Sequence, residues 1–544
     1  MSFDGRTRSS AARGAVAAGL IVACAAAAFA GIRATHDLTW PGGSDFSRDI
    51  AIAESIVHGH PLSDPFYQGE WAWYNPLVPG MVAGLASLTR QPIPVVYARA
   101  GAYLNLLAPV GLFAFMSVAF DPLTALAAVV GFLFLLPGAE PAWLRATYSP
   151  WLLPAHFMQA VFYLTLILIR RACKDDRASL WAIAGAATGL VFLGHTAPAL
   201  ILAGLATTWT AGRLIAHPAD RRGAFRNWCT FGAAAAVVAL PLLVSIAGHY
   251  HLATQNRFPA DYVAPGLELS RLNRFLEDEL APTSGAVIVT IGLIGLAVRR
   301  RRLESRLLIA GFVLTTGLLT YSYATQSAQS SGGWLPALVP GWHFLFYLRA
   351  FEAMAFGVGA MTAADGVVAL VDRIRSVPAS LSARQLTRTL TLACVAGWAI
   401  ASYGAYLRRS DFTGERWSAQ QMFTAPELVQ MYEWIQRSTR SSDVFLAEDN
   451  LGLSVIATAG RKVVAVERFF SNPYVDWRRR SHDRDEMMAL LSRGDWAGFT
   501  TIAFEYRVRY IATNRIVPAD LQQPCCLSKT WSAGAWRIYR VGSE

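Results

Sequence analysis

Eleven apolar segments constrain this chain more than any other feature. Most lie near the 17–25 residues that cross roughly 30 Å of hydrocarbon. They fall at about 14–33, 95–118, 123–138, 152–170, 179–194, 197–214, 228–247, 283–299, 306–323, 343–371 and 387–407. A 544-residue chain that is 54% hydrophobic and 16% charged cannot bury them all in one soluble domain. The expected fold class is therefore an α-helical polytopic membrane protein of about eleven transmembrane helices. The formal charge of +11 raises nucleic acid as a partner. Yet the basic residues cluster in short loops between apolar segments (RRACKDDR, RLIAHPADRRGAFR, RRRRLESR), which is what the positive-inside rule produces. No nucleic-acid partner is expected.

The alternation of basic loops sets the topology. Arg6, Arg8 and Arg13 hold the amino end inside, so the first helix delivers residues 34–94 outside. With eleven spans, the Arg-rich loops at 171–178, 213–227, 299–305 and 372–386 all fall inside. Segments 139–151, the turn His195–Pro198, 248–282 and 324–342 share the outer side with 34–94. The apolar piece 76–88 is too short to span, and counting it would turn the basic loops outward. It is expected to be a juxtamembrane or re-entrant helix. The first segment is read as a retained helix, with Ala28-Phe29-Ala30 as the competing signal-peptide cleavage site.

After Leu407 the long apolar runs stop. Residues 1–410 are read as the membrane domain, with its outer loop at 34–94, and 411–544 as a soluble outer α/β domain. PELVQMYEWIQRS and SHDRDEMMALLSR have helical spacing, whereas DVFLAE, RKVVAV and VRYIAT are runs of strand length. Cys24, Cys229 and Cys394 lie in apolar segments and Cys173 in a basic loop. The adjacent Cys525 and Cys526 would close a strained ring, so free thiols are expected. No zinc-type spacing occurs.

Chemistry concentrates at the helix ends on the outer side. Asp45 follows the turn Pro41-Gly42-Gly43 and precedes an amphipathic stretch, DIAIAESIVHG. A carboxylate there can act as general base or metal ligand. Equally, Ser44 or Asp45 can cap the helix, with Asp49 near its first turn. The residues alone leave the two acids equivalent. Arg99 and Arg349 lie among apolar membrane residues, where arginine is costly and usually paired or functional. Their natural partner is a lipid phosphate or diphosphate, which a guanidinium grips in bidentate fashion. Glu352 stands three residues from Arg349, on the same helix face. His195 sits in an outer turn, as hydrogen-bonded structure or substrate contact. The outer loop PGAEPAWLRATYSPWLLPAHF adds Glu140, Arg145, Tyr148 and His156. His58 and His60 are weak evidence for metal, and Arg478-Arg479-Arg480 is a solvated or headgroup-facing patch.

Taken as a set, Asp45, Ala53 to Gly59 (AESIVHG) and Tyr74-Asn75-Pro76-Leu77 resemble the first outer loop of the polyprenyl-phosphate-dependent GT-C glycosyltransferases. That group includes protein O-mannosyltransferases, the lipid A aminoarabinose transferase and the oligosaccharyltransferase catalytic subunit. Their pattern is an acid, then A-x-x-(hydrophobic)-x-x-G, then an aromatic–Pro motif before the next span. The resemblance implies a GT-C-like fold and a catalytic acid at Asp45, preferred over Asp49 by its spacing to Gly59. It also implies a second acid at Glu140 and substrate contacts from Tyr74, Arg99, Arg145, Tyr148, His195 and Arg349. Gly460-Arg461-Lys462-Val463-Val464 and Asn472-Pro473-Tyr474 fit a pattern found in outer domains of similar membrane proteins.

Two departures stand out. Asp45 is followed by Phe46 where many relatives have Asp-Glu, and the Asp-Pro-Tyr pattern of oligosaccharyltransferases is missing. Both argue against a strongly metal-dependent enzyme, and no metal ligand is assigned, although a divalent ion stays open as a cofactor. The resulting expectation is an inverting glycosyltransferase of a bacterial inner membrane. Its donor would be a polyprenyl-phosphate-linked sugar, and its acceptor an extracytoplasmic glycan, lipid or protein. The rivals are a transporter or lipid flippase lined by Arg99, Arg349 and His195, and a catalytically inactive scaffold. No pair of related halves, as many transporters have, is evident.

Overall fold

A computed structural model describes residues 4–136, 144, 146–263, 284–330, 339–375, 381–522 and 526–542. Among them, seven helices are long and apolar enough to cross a membrane: Gly14–Thr35, Ile93–Ala119, Thr196–Ala216, Pro218–His249, Leu303–Gln326, Trp342–Ile374 and Ala383–Gln421. Four more of the expected segments are also helical. Pro122–Val130 runs into a wide turn at Gly131–Leu135, and Ala178–Gly194 and Ser284–Val298 are short. Pro154–Asp175 has 22 residues but a more polar sequence. The protein is an α-helical polytopic membrane protein with a small sheet near its C-terminus.

By backbone contacts the chain divides into two compact units. The first comprises Met1–Asp37, Arg99–Ala239 and Val263–Arg416; the second comprises Leu38–Ala98, Leu240–Tyr262 and Trp417–Glu544.

Local sequence explains the helix ends and packing of the first unit. The helix Pro122–Val130 starts where Asp121 caps it: its carboxylate accepts from the Leu123 and Thr124 amides at 3.0 Å, and Pro122 occupies the first turn. Small residues let helices approach closely. A Cβ at Gly292 would run into the Ala355 carbonyl, and one at Gly359 into that of Ile288, so Ser284–Val298 and Trp342–Arg375 meet backbone to backbone. Phe356, Leu126, Val289 and Met361 fill the core beside them. Ion pairs hold several basic helix ends, Arg170 to Glu304 at 2.6 Å and Arg388 to Asp365 at 2.7 Å.

The second unit is built on a five-stranded sheet. Its strands are β1 (Val444–Leu446), β2 (Lys462–Val463), β3 (Val508–Thr513), β4 (Leu527–Ala533) and β5 (Trp536–Val541), in the order β2-β1-β3-β5-β4. β1 runs parallel to β2 and β3, and β5 pairs antiparallel with β3 and β4. The three expected runs supply β1, β2 and β3, and the two expected helices form as Pro426–Ser438 and Trp477–Arg493. The β4–β5 hairpin and the helix Trp496–Tyr506 had no expectation. Leu527–Ala533 carries Ser, Lys and Thr between its apolar positions, and its exposed edge needs no buried run.

Both faces of the sheet are covered, which is why β1 and β3 read as nearly continuous apolar runs. Successive side chains point to opposite faces. Val444 and Leu446 join Met487, Leu491, Phe499 and Tyr539 on one side. Phe445, Tyr510 and Ile538 join Phe66, Tyr67 and Ala51 on the other. Residues from the segment after the first helix thus complete the core of the C-terminal sheet. The expected piece at 76–88 is the 13-residue helix Leu77–Thr89, shorter than a membrane span.

Candidate active site

Asp45 lies in the first turn of the helix Ser44–Val57. That helix starts at Gly43, whose φ of +90° and ψ of +150° a side chain would strain, and no side chain caps it. Neither Ser44 nor Asp45 is therefore the cap, and Asp49 lies one turn further in. Residues 45 and 49 share a helix face. Their environments differ sharply. Asp45 keeps 50% of its side chain exposed, whereas Asp49 is wholly buried.

Arg48 joins the two acids. One guanidinium nitrogen, Nη1, is 3.0 Å from Asp45 Oδ1, and Nε donates to Asp49 Oδ1 at 2.9 Å. The guanidinium carbon lies 3.8 Å above the Tyr74 ring, and the Phe470 ring is 5.9 Å away. A planar cation can use its edge for carboxylates and its face for an aromatic ring. Asp49 Oδ2 has no hydrogen-bond partner among the described residues. Burial pushes the Asp49 carboxyl up to about 6, against the pull of Arg48. The outcome is one acid locked inside and one presented to solvent by the same arginine. Tyr97, packed edge-on to Phe46, donates to the Asp49 carbonyl at 3.3 Å.

This helix is held from its other end as well. Gly460, at φ +78°, lets the Gly460-Arg461 turn approach Glu54 and His58: a Cβ there would sit 3.1 Å from Glu54 Cβ. Arg461 donates to the carbonyls of Gln436 and Thr439 and to the Thr439 hydroxyl, at 2.7–2.9 Å. Glu54, buried beside it, accepts from Gln436 at 3.2 Å. Burial pushes its carboxyl up to about 7. Asn472, from the Asn-Pro-Tyr motif, donates to the buried Asp64 at 2.8 Å. Both C-terminal motifs thus act as fixings for the segment that carries Asp45.

The remaining candidates described belong to the first unit. His195 Nε2 and His343 Nδ1 are 3.0 Å apart, and His343 stacks on Trp342. Arg349, six residues further along that helix, bonds Glu352 at 2.6 Å as its spacing predicts. Tyr148 is buried and donates to the Ala102 carbonyl at 2.8 Å, three residues from half-buried Arg99. His156 is buried, with neither ring nitrogen partnered among the described residues. Glu140 and Arg145 lie outside the described residues.

Among the described residues no group of three or more His, Cys, Asp or Glu side chains is placed to hold a metal. Asp45 and Asp49 have a guanidinium where a shared ion would sit, so this pair does not fit a divalent cation.

In sequence, no family model and no curated protein matches the chain. Solved structures do match. ArnT from Cupriavidus metallidurans bound to undecaprenyl phosphate superposes with a TM-score of 0.56 at 12% identity, over 97% of this chain and 98% of that one. The chain has the GT-C fold. The Archaeoglobus fulgidus oligosaccharyltransferase aligns with a TM-score of 0.50 at 11% identity, over 91% of this chain and 69% of its own. Oligosaccharyltransferase AglB from Archaeoglobus fulgidus, in complex with an inhibitory peptide and a dolichol-phosphate, gives 0.50 at 12% identity, over 91% of this chain and 69% of that one.

Within this GT-C fold, two members of the described clusters were missed in the sequence. Arg48 is one of 48 basic residues, and only its i−3 and i+1 acids marked it. His343 was legible as a histidine inside an apolar run, six residues before Arg349. Its pairing with His195 joins residues 148 positions apart, which no local pattern encodes.

Proposed function

We propose that the protein is an integral-membrane, inverting glycosyltransferase that moves a sugar from a polyprenyl-phosphate donor to an extracytoplasmic acceptor. The GT-C fold supports the reaction class, and the ArnT match supports the donor class, since that protein binds undecaprenyl phosphate. The observation that carries the assignment of the base is the half-exposed Asp45 carboxylate, fixed at a helix start by Arg48 at 3.0 Å. Asp49, buried and pushed toward its neutral form, is not suited to that role.

In the proposed step Asp45 takes the proton of an acceptor hydroxyl. The freed oxygen forms a bond to the anomeric carbon, and the carbon–oxygen bond to the lipid phosphate breaks, its electron pair leaving with the phosphate. Positioned bases of this kind contribute about 10²–10⁴-fold. The leaving phosphate needs charge stabilisation, which we assign to Arg349 and Arg99. Glu140 is proposed as a second catalytic acid, and Arg145, Tyr74, Tyr148 and His195 as further substrate contacts. We place the protein in a bacterial inner membrane, with Asp45 and the C-terminal sheet on the periplasmic side. That orientation rests on the basic loops.

Asp45→Asn is the test, in proteoliposomes with a labelled polyprenyl-phosphate sugar and matched protein levels. Transfer is expected to fall by about 10²-fold or more. Full transfer in the variant overturns the assignment of the base. Lipid movement without transfer in the wild type favours a flippase instead.

A further inference from the structure

The second unit contains a cavity of about 660 Å³ whose lining suits a polyhydroxylated ligand. Its charged groups are three guanidiniums, Arg479, Arg480 and Arg507, and three carboxylates, Glu70, Asp476 and Glu505. The formal charges cancel. A site for a phosphate or an acidic chain would hold arginines in excess, with guanidinium edges free to grip the oxyanion. Here donors and acceptors alternate instead: Arg479 bonds Glu505 at 2.6 Å, and Arg480 reaches Glu70 only at 3.4 Å. Sugar hydroxyls both donate and accept, so a neutral glycan can bond each half of such pairs.

One wall is aromatic. Tyr250 and Tyr474 stack with ring centres 4.8 Å apart and planes 12° from parallel. Tyr250 is fixed edge-on: it accepts from the Trp71 amide at 2.8 Å and from Asn472 at 3.1 Å, and donates to Glu70. Behind Tyr250 and outside the lining, His249 packs on that ring and stacks on Trp71 at 4.8 Å. Fixed flat rings beside balanced polar groups match the two faces of a pyranose or furanose ring, one of C–H bonds and one of hydroxyls.

The cavity is continuous in sequence with the Asp45 cluster. Phe470 faces the Arg48 guanidinium, and Tyr474 and Asp476 line the cavity a few residues on. Ser471, between them, bonds Tyr67 at 2.7 Å, and Arg480 lies 4.2 Å above that same ring.

From this lining we infer that the cavity is a binding subsite for a neutral segment of a glycan, and so that the acceptor is a carbohydrate chain. The second clause rests on the transferase reading; the first does not.

The test is saturation-transfer NMR on the full chain in lipid nanodiscs. The probes are neutral hexasaccharides (α-glucan, mannan, galactan and arabinan), with inorganic phosphate and a hexaglutamate peptide as the anionic arms. At least one neutral hexasaccharide is expected to bind. Its affinity should drop about five- to tenfold in Tyr474→Ala and be kept in Tyr474→Phe, which retains the ring. Binding of phosphate or hexaglutamate in place of every neutral sugar overturns the proposal. So does neutral binding that Tyr474→Ala leaves unchanged. Asp45→Asn separates the two readings: sugar binding kept while transfer is lost supports both. Sugar binding by a wild type that transfers nothing leaves the subsite standing and removes the transferase.

Discussion

The Arg48 guanidinium stands 3.0 Å from the Asp45 carboxylate while its Nε grips the buried Asp49 at 2.9 Å. The exposed acid is therefore held by a cation that is itself anchored in the core. Positions three apart on a helix meet in this way. Such an arrangement sets where the Asp45 oxygen points, as a positioned base requires.

Removing that cation should be costly. Arg48→Met leaves Asp49 buried without its counter-ion, and breaking a buried pair typically costs about 3–5 kcal/mol. We expect a clear drop in apparent Tm, measured in detergent by intrinsic fluorescence. The double variant Arg48→Met/Asp49→Leu should recover much of it, because no buried charge remains. Transfer activity should stay low in both, since Asp45 has lost its holder.

Stability should also depend on pH through Glu54. Its ordinary value of 4.5 is pushed up to about 7 by burial. Between those values the folded chain retains a proton that the unfolded chain has released, so stability falls as pH rises through that window. Asp49 and Asp64, both raised from 3.8 to about 6, act in the same direction at lower pH. The apparent Tm should be higher near pH 5.5 than near pH 7.5. Glu54→Gln should flatten the upper part of that slope; an unchanged slope would rule out Glu54 as its source.

Donor recognition gives a third prediction. Arg349→Ala should raise the KM for the polyprenyl-phosphate donor about tenfold or more, the range for losing a charge-assisted hydrogen bond. Arg349→Lys should restore only part, because a lysine keeps the charge and loses the fork. A KM unmoved in both variants would leave Arg349 as the structural partner of Glu352, 2.6 Å away.

In the membrane unit, Gly292→Val should weaken packing. Its side chain would meet the Ala355 carbonyl where two helices run backbone to backbone. Overpacking of this kind costs about 1–3 kcal/mol or more. The readout is the apparent Tm and the monodisperse yield after extraction. Gly366→Ala, with open space at its Cβ, should be neutral.

Much of the architecture was legible in the sequence because it depends on local composition. A run of apolar residues must be satisfied by lipid or by other helices, and its length gives the number of turns. Each of the eleven segments contains a helix among the described residues, and DVFLAE, RKVVAV and VRYIAT each supply a strand. Arg349 and Glu352 were legible as a pair because three residues bring them to one helix face. The hairpin at Leu527–Val541 was not, since its strands mix polar and apolar residues and gain their place from pairing with β3.

What only the tertiary structure decided is which neighbour each polar residue meets. Asp45 and Asp49 are chemically alike and four residues apart, and the sequence could rank them only by resemblance. Packing separates them: Asp49 faces the core, where Arg48 neutralises it, while Asp45 at the first turn stays half in water. Phe66 and Tyr67 pack in one core with Phe445 and Tyr510, from a segment hundreds of residues later in the chain. Burial depends on what the rest of the chain brings against a side chain, and that information is non-local. Residue order fixes the helices; the contacts made between distant segments decide which carboxylate is left facing solvent.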